Sequence, residues 1–526
     1  MPGRVGNTSL VRGRQSHPER PEPRGTRNRT RLCATGVALL VVLNSCKGVD
    51  AQKGATSQSA AAAQTDTLWK RDSTAAKDSA AKADAERIAL DAYVYGYPLV
   101  TMDRMRRVMT NVSSAGETRA PVGQFANMPS YPDPSFKDWP TPSPSTLYSI
   151  AWLDLERQPY VLSLPDEHGR YYVMPMLGGW MNVFESPSAR TAGKGTQLFL
   201  IAGPGWKGSQ DTLGATFIRA PTNLVAILGR TFAKATPTDM REARALQRQY
   251  TLVPLGAYGR PSARVDPSRV DPSIDMKTPI RAQVNALDAP AFFNQLAMLM
   301  KANPPASTDS VIVAQMASIG IVAGQPFDPT KLGNHASEIL SIVPRLGQQR
   351  IMAVETNLPI VHGWTSSNNL GAYTDHLDFR AYAAIVGFDG SLPKDVVHDI
   401  AGTDVAQHPL DGTRRYVMHF AKGEEPPAKA YWSITMYDSA HALVPNAIHR
   451  YAISPKQTPV THNADGSLDI FFQHEPIAGP MQSNWLPTPA GRFYLVLRIH
   501  SPTDSVLAGT WSPPGVVEVG TRVWER

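Results

Sequence analysis

The chain predicts a mixed, β-dominated fold: two antiparallel β-sandwich or jelly-roll-like domains with helical connector segments. Three observations carry that expectation. Short strand-like runs follow one another over Leu147–Leu153, Tyr160–Leu164, Arg170–Met176, Gln197–Ile201 and Thr216–Ile218, separated by Gly and Pro turns. The same pattern returns at Arg414 and continues nearly to the C-terminus, while the stretch between reads as helices. With 526 residues, the chain is also too long for one ordinary core. Its 42% hydrophobic and 18% charged content suits a folded protein, and 45 prolines favour turns over long bundles. The organisation expected is a leader at 1–45, a flexible tether at 46–72, an N-terminal β-rich domain with a leading helix at 73–260, a helical connector at 261–410, and a C-terminal sandwich at 411–526.

The leader is read first, because targeting segments do not belong to the fold. Arg24, Arg27, Arg29 and Arg31 precede the apolar run Leu32 to Leu43, shorter than the roughly 20 residues a bilayer span needs. The run ends in Leu43-Asn-Ser-Cys46, which resembles the bacterial lipoprotein cleavage box. By that resemblance Cys46 is the lipidated first residue of an exported, membrane-anchored protein. Lys47 after it favours the outer membrane, facing the periplasm or the surface.

Residues 1–45 hold eight arginines against Glu19 and Glu22, a net of +6 out of the chain's +7, which leaves +1 for the rest. The basic balance therefore belongs to the leader and implies no nucleic-acid partner. Cys33 and Cys46 are the only cysteines, so the folded part has neither disulfides nor thiolate metal sites.

Lys47 to about Thr67 is rich in Ala, Gln, Ser and Thr, hence the tether. From Ser73 to Pro98 the spacing is helical, with Ile88, Ala92, Tyr95 and Leu99 on one face. Asn223–Tyr250, Ala289–Met300, Ser310–Ile321 and Ala336–Val354 read as further helices, the second entered at Asp288 with Pro290 in its first turn. In the C-terminal part, Tyr431–Tyr437 and Arg492–His500 alternate as half-buried strands. Phe493, Leu495, Leu497 and Ile499 share one face of the latter, opposite Arg492, Tyr494, Val496, Arg498 and His500.

Several motifs carry a resemblance. Tyr93-Val-Tyr-Gly-Tyr-Pro98, Thr146-Leu-Tyr-Ser149 and Leu228-Gly-Arg230 lie in the first part of the chain. Trp432-Ser-Ile-Thr-Met-Tyr-Asp438, Arg450-Tyr451, Asn484-Trp-Leu-Pro487 and Trp511-Ser-Pro-Pro514 lie in the second. Together they resemble the paired bacterial family of domains of unknown function 1254 (N-terminal half) and 1214 (C-terminal half). The resemblance implies two β-sandwich domains with helical insertions, often exported, and supplies no activity. It also implies an acidic residue before Thr146, where Ser145 stands, and an Asp shortly before Trp180, where Gly178-Gly179 stand.

The chemistry is less determined. Gly203-Pro-Gly-Trp-Lys-Gly208 fits a dinucleotide fingerprint as a pattern, but another strand follows it rather than a helix, so it reads as a turn. No Gly-x-Ser-x-Gly elbow and no His-Glu-x-x-His helix occur. No cofactor and no metal are expected. Asp438, His449 and His500 are the acid–base candidates, since neutral imidazole suits general-base work. Tyr148, Trp180, Arg190, Arg450, Trp485 and Arg498 are the ligand-binding candidates. Arginine offers a bidentate fork to anions, and Trp485 is taken to sit on a proline-constrained pocket loop. The architectural alternative pairs the arginines with Asp154, Asp438 or Asp469.

Two readings stay open. One is a hydrolase-like enzyme acting on a small, glycan-like or lipid-like substrate in a cleft of the β domains. The other is a non-catalytic envelope protein that binds a glycan, lipid or small acid. The expected partners are the membrane, through the lipidated N-terminus, a small-molecule or glycan ligand, and a second copy of the chain.

Overall fold

The computed structural model describes residues 54–191, 195–211, 213–260, 268–366, 371–373, 376–387 and 390–520. Cys46 and the leader lie outside them. Ser73–Arg526 forms one compact unit.

Two sandwiches account for the β-structure of this unit. In the first, one sheet is ordered β1 (Phe125–Asn127), β2 (Thr146–Asp154), β9 (Leu224–Phe232), β5 (Met176–Gly178) and β6 (Val183–Glu185), with β4 (Tyr172–Val173) also on β9. It faces β10 (Thr251–Pro254), β3 (Tyr160–Leu164), β7 (Gln197–Ala202) and β8 (Thr216–Arg219). Leu153, Val225 and Ile227 meet Leu162, Phe199 and Ile201 between them.

In the second, β11 (Trp364–Ser366), β12 (Val396–Ala401), β18 (Phe493–Pro502), β14 (Ala428–Asp438) and β15 (Ala452–Ile453) form one sheet. The other is β17 (Trp485–Pro487), β16 (Leu468–Gln473), β13 (Tyr416–Phe420) and β19 (Val516–Glu518). Ile434, Leu495 and Leu497 pack against Met418, Ile470 and Phe472. Each such side chain contributes about 1.5–3 kcal/mol by leaving water. Among the described residues, pairing is antiparallel except for β7–β8 and β16–β17, which run parallel.

The helices form a separate core. Tyr93, Tyr95, Tyr97 and Leu99 of α1 (Gly54–Thr110) pack on α4 (Ala289–Ala302), α5 (Ser310–Ser318) and α6 (Ala336–Asn357). Asp288 caps α4 by accepting from the Ala291 amide, with Pro290 in the first turn, as its sequence predicts. The remaining α-helices among the described residues are α2 (Pro237–Gln247), α3 (Ile280–Asn285), α7 (Leu377–Val386) and the single turn α8 (Asp504–Leu507).

Three expectations need correcting. Asn223–Tyr250 is not one helix, because Leu224–Phe232 is β9. Every residue of that strand is buried, so it lacks the alternation that marks a half-buried strand. Only Pro237–Gln247 is helical, with Thr236 as its cap. Second, α1 begins at Gly54, inside the stretch read as a tether, and runs through Pro98 to Thr110. Pro98 removes one backbone hydrogen bond, and the burial of Leu99, Val100 and Met102 just beyond it offsets the loss. Third, the Arg170–Met176 strand is split into β4 and β5 around Pro175, which has no N–H to give. Both pieces keep one register on β9, with Tyr172 opposite Thr231 and Met176 opposite Ile227. The Gly203–Gly208 segment joins β7 to β8 without a helix.

Candidate functional site

Strand alternation puts Leu495, Leu497 and Ile499 of β18 into the sandwich core, which turns Tyr494, Val496, Arg498 and His500 the other way. In a free-standing sandwich that face would meet water. Here it is covered by the first half of the chain, by the 390–395 segment and by α7, so Arg498 and His500 are almost fully buried. Arg498 donates through Nη1 to Tyr437 Oη at 2.9 Å and through Nη2 to the Thr141 carbonyl at 2.9 Å. Arg230 of β9 donates to Ser391 Oγ at 2.6 Å. His398 of β12 lies beside Arg498 in register. His500 stacks on Tyr431 with ring centres 4.0 Å apart and planes at 10°, and its Nδ1 lies 3.2 Å from Tyr171 Oη.

The electrostatics follow from this burial. Loss of water, then Arg498 and Arg230, push His398 well below the usual imidazole range. Burial pushes His500 down likewise, helped by His398 and both arginines. Both rings are therefore neutral at ordinary pH. Burial also raises Tyr437 to about 12, against the pull of Arg498. The layer is a set of neutral rings and hydroxyls around permanently charged guanidinium groups.

A cavity of about 240 Å³ opens onto this layer. Its walls are largely apolar: Leu358, Phe379, Tyr382, Val386, Ile400 and Val496. Arg498, His398, Tyr494, His441, Glu355 and three threonines supply polar atoms, and Ile360, also in the lining, is exposed. His441 Nδ1 lies 2.8 Å from Tyr494 Oη. The volume falls just under the roughly 300–1,000 Å³ of drug-sized ligand sites, so the space suits a small molecule.

Of the catalytic and ligand-binding candidates read from the sequence, Arg498 alone lines this cavity. His500 lies two residues along the same strand face, against Tyr171 and Tyr431. Asp438 ends β14 and accepts from the Ala440 and Ala442 amides at 2.9 Å, which fixes its own turn. His449 is exposed, and its Nδ1 lies 3.2 Å from Tyr451 Oη. The structure thus does not bring Asp438, His449 and His500 to one cavity.

Tyr148 is buried on β2, where its hydroxyl accepts from the Ser143 amide at 2.8 Å. Trp180 is buried in the helical core, with Nε1 donating to the Asn303 and Pro304 carbonyls, each at 3.2 Å. Arg450 donates to the Gln482 and Trp485 carbonyls and so holds β17. Trp485 is on that strand, buried, with Nε1 donating to the Gln473 carbonyl at 2.8 Å, rather than on a pocket loop. Arg190 pairs with buried Asp395 at 3.0 Å. The expected arginine partners are engaged elsewhere: Asp154 with Arg157 at 3.2 Å, and Asp469 with His419 at 2.6 Å.

His398 and the whole of α7 were missed. Both faces of Val396–Ala401 are buried, which blurs its alternation, although a histidine inside a Val-Val-His-Asp-Ile run was a usable signal. Within the described residues, Asp404, His408 and Glu518 offer a three-ligand cluster, but Glu518 is taken by Arg414 at 2.8 Å.

Two family models match. Residues 122–254 match the protein of unknown function DUF1254, and residues 396–504 match the protein of unknown function DUF1214. The two matched segments together span 242 of the chain's 526 residues. The order is the one its motifs imply, the first model covering most of the N-terminal sandwich and the second the strands that hold Arg498. The VPA0106 protein from Vibrio parahaemolyticus shares the fold at a TM-score of 0.61 and 19% identity, over 83% of this chain and 100% of its own. An uncharacterized protein from Burkholderia cenocepacia aligns at 12% identity and a TM-score of 0.39, over 85% of this chain and 96% of its own. No curated protein matches the chain.

Proposed function

We propose that this protein binds a small, largely apolar molecule with an acidic or oxygen-rich end in the cavity beside Arg498. One observation carries the reading: an apolar-walled space of about 240 Å³ ends on a buried guanidinium and a neutral imidazole. Apolar walls reward a hydrocarbon body, and a buried guanidinium attracts a carboxylate by its charge. The walls favour a lipid-like acid over a glycan, which would need many more hydrogen-bonding groups.

Displacement of a fluorescent apolar probe by decanoate and by decanol tests this. Decanoate is expected to displace the probe, and Val386→Trp, which fills the cavity, to abolish displacement while circular dichroism stays unchanged. Arg498→Lys is expected to weaken decanoate about tenfold, or about 1.4 kcal/mol, but not decanol, since one ammonium cannot hold Tyr437 and the Thr141 carbonyl and also reach the carboxylate. Displacement unaffected by Val386→Trp would place the ligand elsewhere and end the proposal.

Hydrolysis of an ester of such an acid is the second reading, suggested by His398 on the cavity wall, although the burial and the arginines that keep its ring neutral also make it a weak base. Turnover of p-nitrophenyl decanoate that disappears in His398→Gln would support it, and no turnover would leave binding alone. Anchoring through lipidated Cys46 belongs to the same proposal. Cys46→Ala is expected to release the protein from the membrane fraction, and unchanged retention would remove the anchor.

A further inference from the structure

A second cavity, of about 480 Å³, lies on the same seam and does not share its lining with the first. Four cations from separate parts of the chain line it: Arg190, Lys394, Lys429 and Lys456. Asp504 is the acidic residue in the lining. Its carboxylate is almost fully exposed and 3.8 Å from Lys429, a geometry worth little in water. Arg190 also holds buried Asp395, which anchors that guanidinium at the wall. Lys456 donates to the Ala430 carbonyl at 2.9 Å and stands over the Phe232 ring, so its position is fixed as well. Asp395 on Arg190 and Asp504 near Lys429 offset two of the four cations, which leaves the concavity a net +2, carried by one small part of a chain whose residues 46–526 sum to +1. A low-dielectric cleft focuses that excess field outward, where an anion can join it.

The backbone is shaped at the same place. Between Ala428 and Tyr431 the register of β14 on β18 shifts, a bulge in which Lys429 and Ala430 face Ser501. Ser501 has φ of 50°, in the left-handed region that a serine enters at a cost. Bulges re-aim side chains at sites, and this one turns the end of the sheet toward the cavity. Lys429, Ala430, Ser501 and Pro502 all belong to the lining.

We propose that this basic pocket binds the phosphate or sulfate monoester group of a small molecule, independently of the apolar cavity. Calorimetric titration with pyrophosphate, inorganic phosphate and inorganic sulfate, on the full chain at low and at physiological salt, tests it. Saturable binding that weakens with salt is expected. The double variant Lys394→Glu with Lys429→Glu is expected to lose at least about tenfold in affinity. A control with the same net charge, Lys331→Glu with Lys422→Glu, is expected to keep it. Inorganic phosphate, close to sulfate in charge, bound more tightly than sulfate would indicate a phosphorylated ligand, and the reverse a sulfated one. No saturable heat with any of these anions, or equal losses in both double variants, would overturn the proposal. Val386→Trp is expected to leave anion binding intact, so this test and that of the apolar cavity fail separately.

Discussion

His398 and His500 give the buried layer a definite pH signature. Both are held neutral by burial and by the neighbouring arginines. Below about pH 6.5 the unfolded chain takes up protons that the native rings refuse, so each ring makes stability fall as pH drops. One refused proton is worth up to about 1.4 kcal/mol per pH unit. Glu167 opposes this. Burial lifts its carboxyl to about 7, so it is protonated in the native state and favours folding as pH falls from there toward its ordinary 4.5. The net slope mixes the two signs, but a single substitution separates them. His500→Phe preserves the stack on Tyr431 and cannot be protonated. It is expected to flatten the slope of unfolding free energy between about pH 6 and pH 5 by about 1.4 kcal/mol per unit, whatever it does to absolute stability. Urea denaturation across that range reads the slope directly, and an unchanged slope would mean that native His500 accepts the proton.

At the scale of elements, the glycines inside the helical core mark where helices nearly touch. A Cβ on Gly96 of α1 would lie 2.4 Å from Leu296 Cδ2 of α4, and one on Gly347 of α6 would lie 2.3 Å from the Tyr93 ring. Helix propensity alone would replace either glycine, at a gain of about 1 kcal/mol, so packing decides against it. Gly96→Val is expected to cost about 1–3 kcal/mol by overpacking. Leu296→Ala alone is expected to cost about 2–5 kcal/mol through its cavity. In the double variant each defect relieves the other, and the combined loss is expected to fall short of the sum by more than about 0.5 kcal/mol. Additive losses in chemical denaturation would show that the two helices do not meet there. The same tension between pattern and packing governs what could be read in advance. Tyr160–Leu164 and the cap at Asp288 were legible because alternation and capping are local signals. Leu224–Phe232 was not, because an apolar run buried on both faces carries no period. The face holding Arg498 and His500 was legible as well, but what covers it depends on contacts with Thr141, Tyr171 and α7, hundreds or scores of residues away in the chain.

For the molecule as a whole, that covered face decides how Ser73–Arg526 folds. Tyr437 donates to the Pro142 carbonyl at 2.8 Å, Arg498 Nη2 to the Thr141 carbonyl, and the Thr141 amide to the His441 carbonyl at 2.9 Å. Tyr171, Phe232, Tyr431 and His500 pack as one aromatic group across the same seam. The C-terminal sandwich expressed alone would expose Tyr431, Tyr437, Arg498 and His500, aromatic surface included, while its polar layer lost the carbonyl partners that fix it. Large apolar faces of this kind bind a second element or aggregate. The full chain is therefore expected to unfold in urea as one transition, with tryptophan fluorescence and far-ultraviolet circular dichroism coincident. Residues 360–526 alone, which keep β11 and Trp364, are expected to bind an apolar dye and to show no sigmoidal transition. Two separated transitions in the full chain, or a cooperative fragment with native near-ultraviolet dichroism, would mean that the seam is a docking contact between independent domains. In that case Arg498 would hold its place through Thr435 and Tyr437 on its own sheet, and the cavity beside it would form without its N-terminal cover.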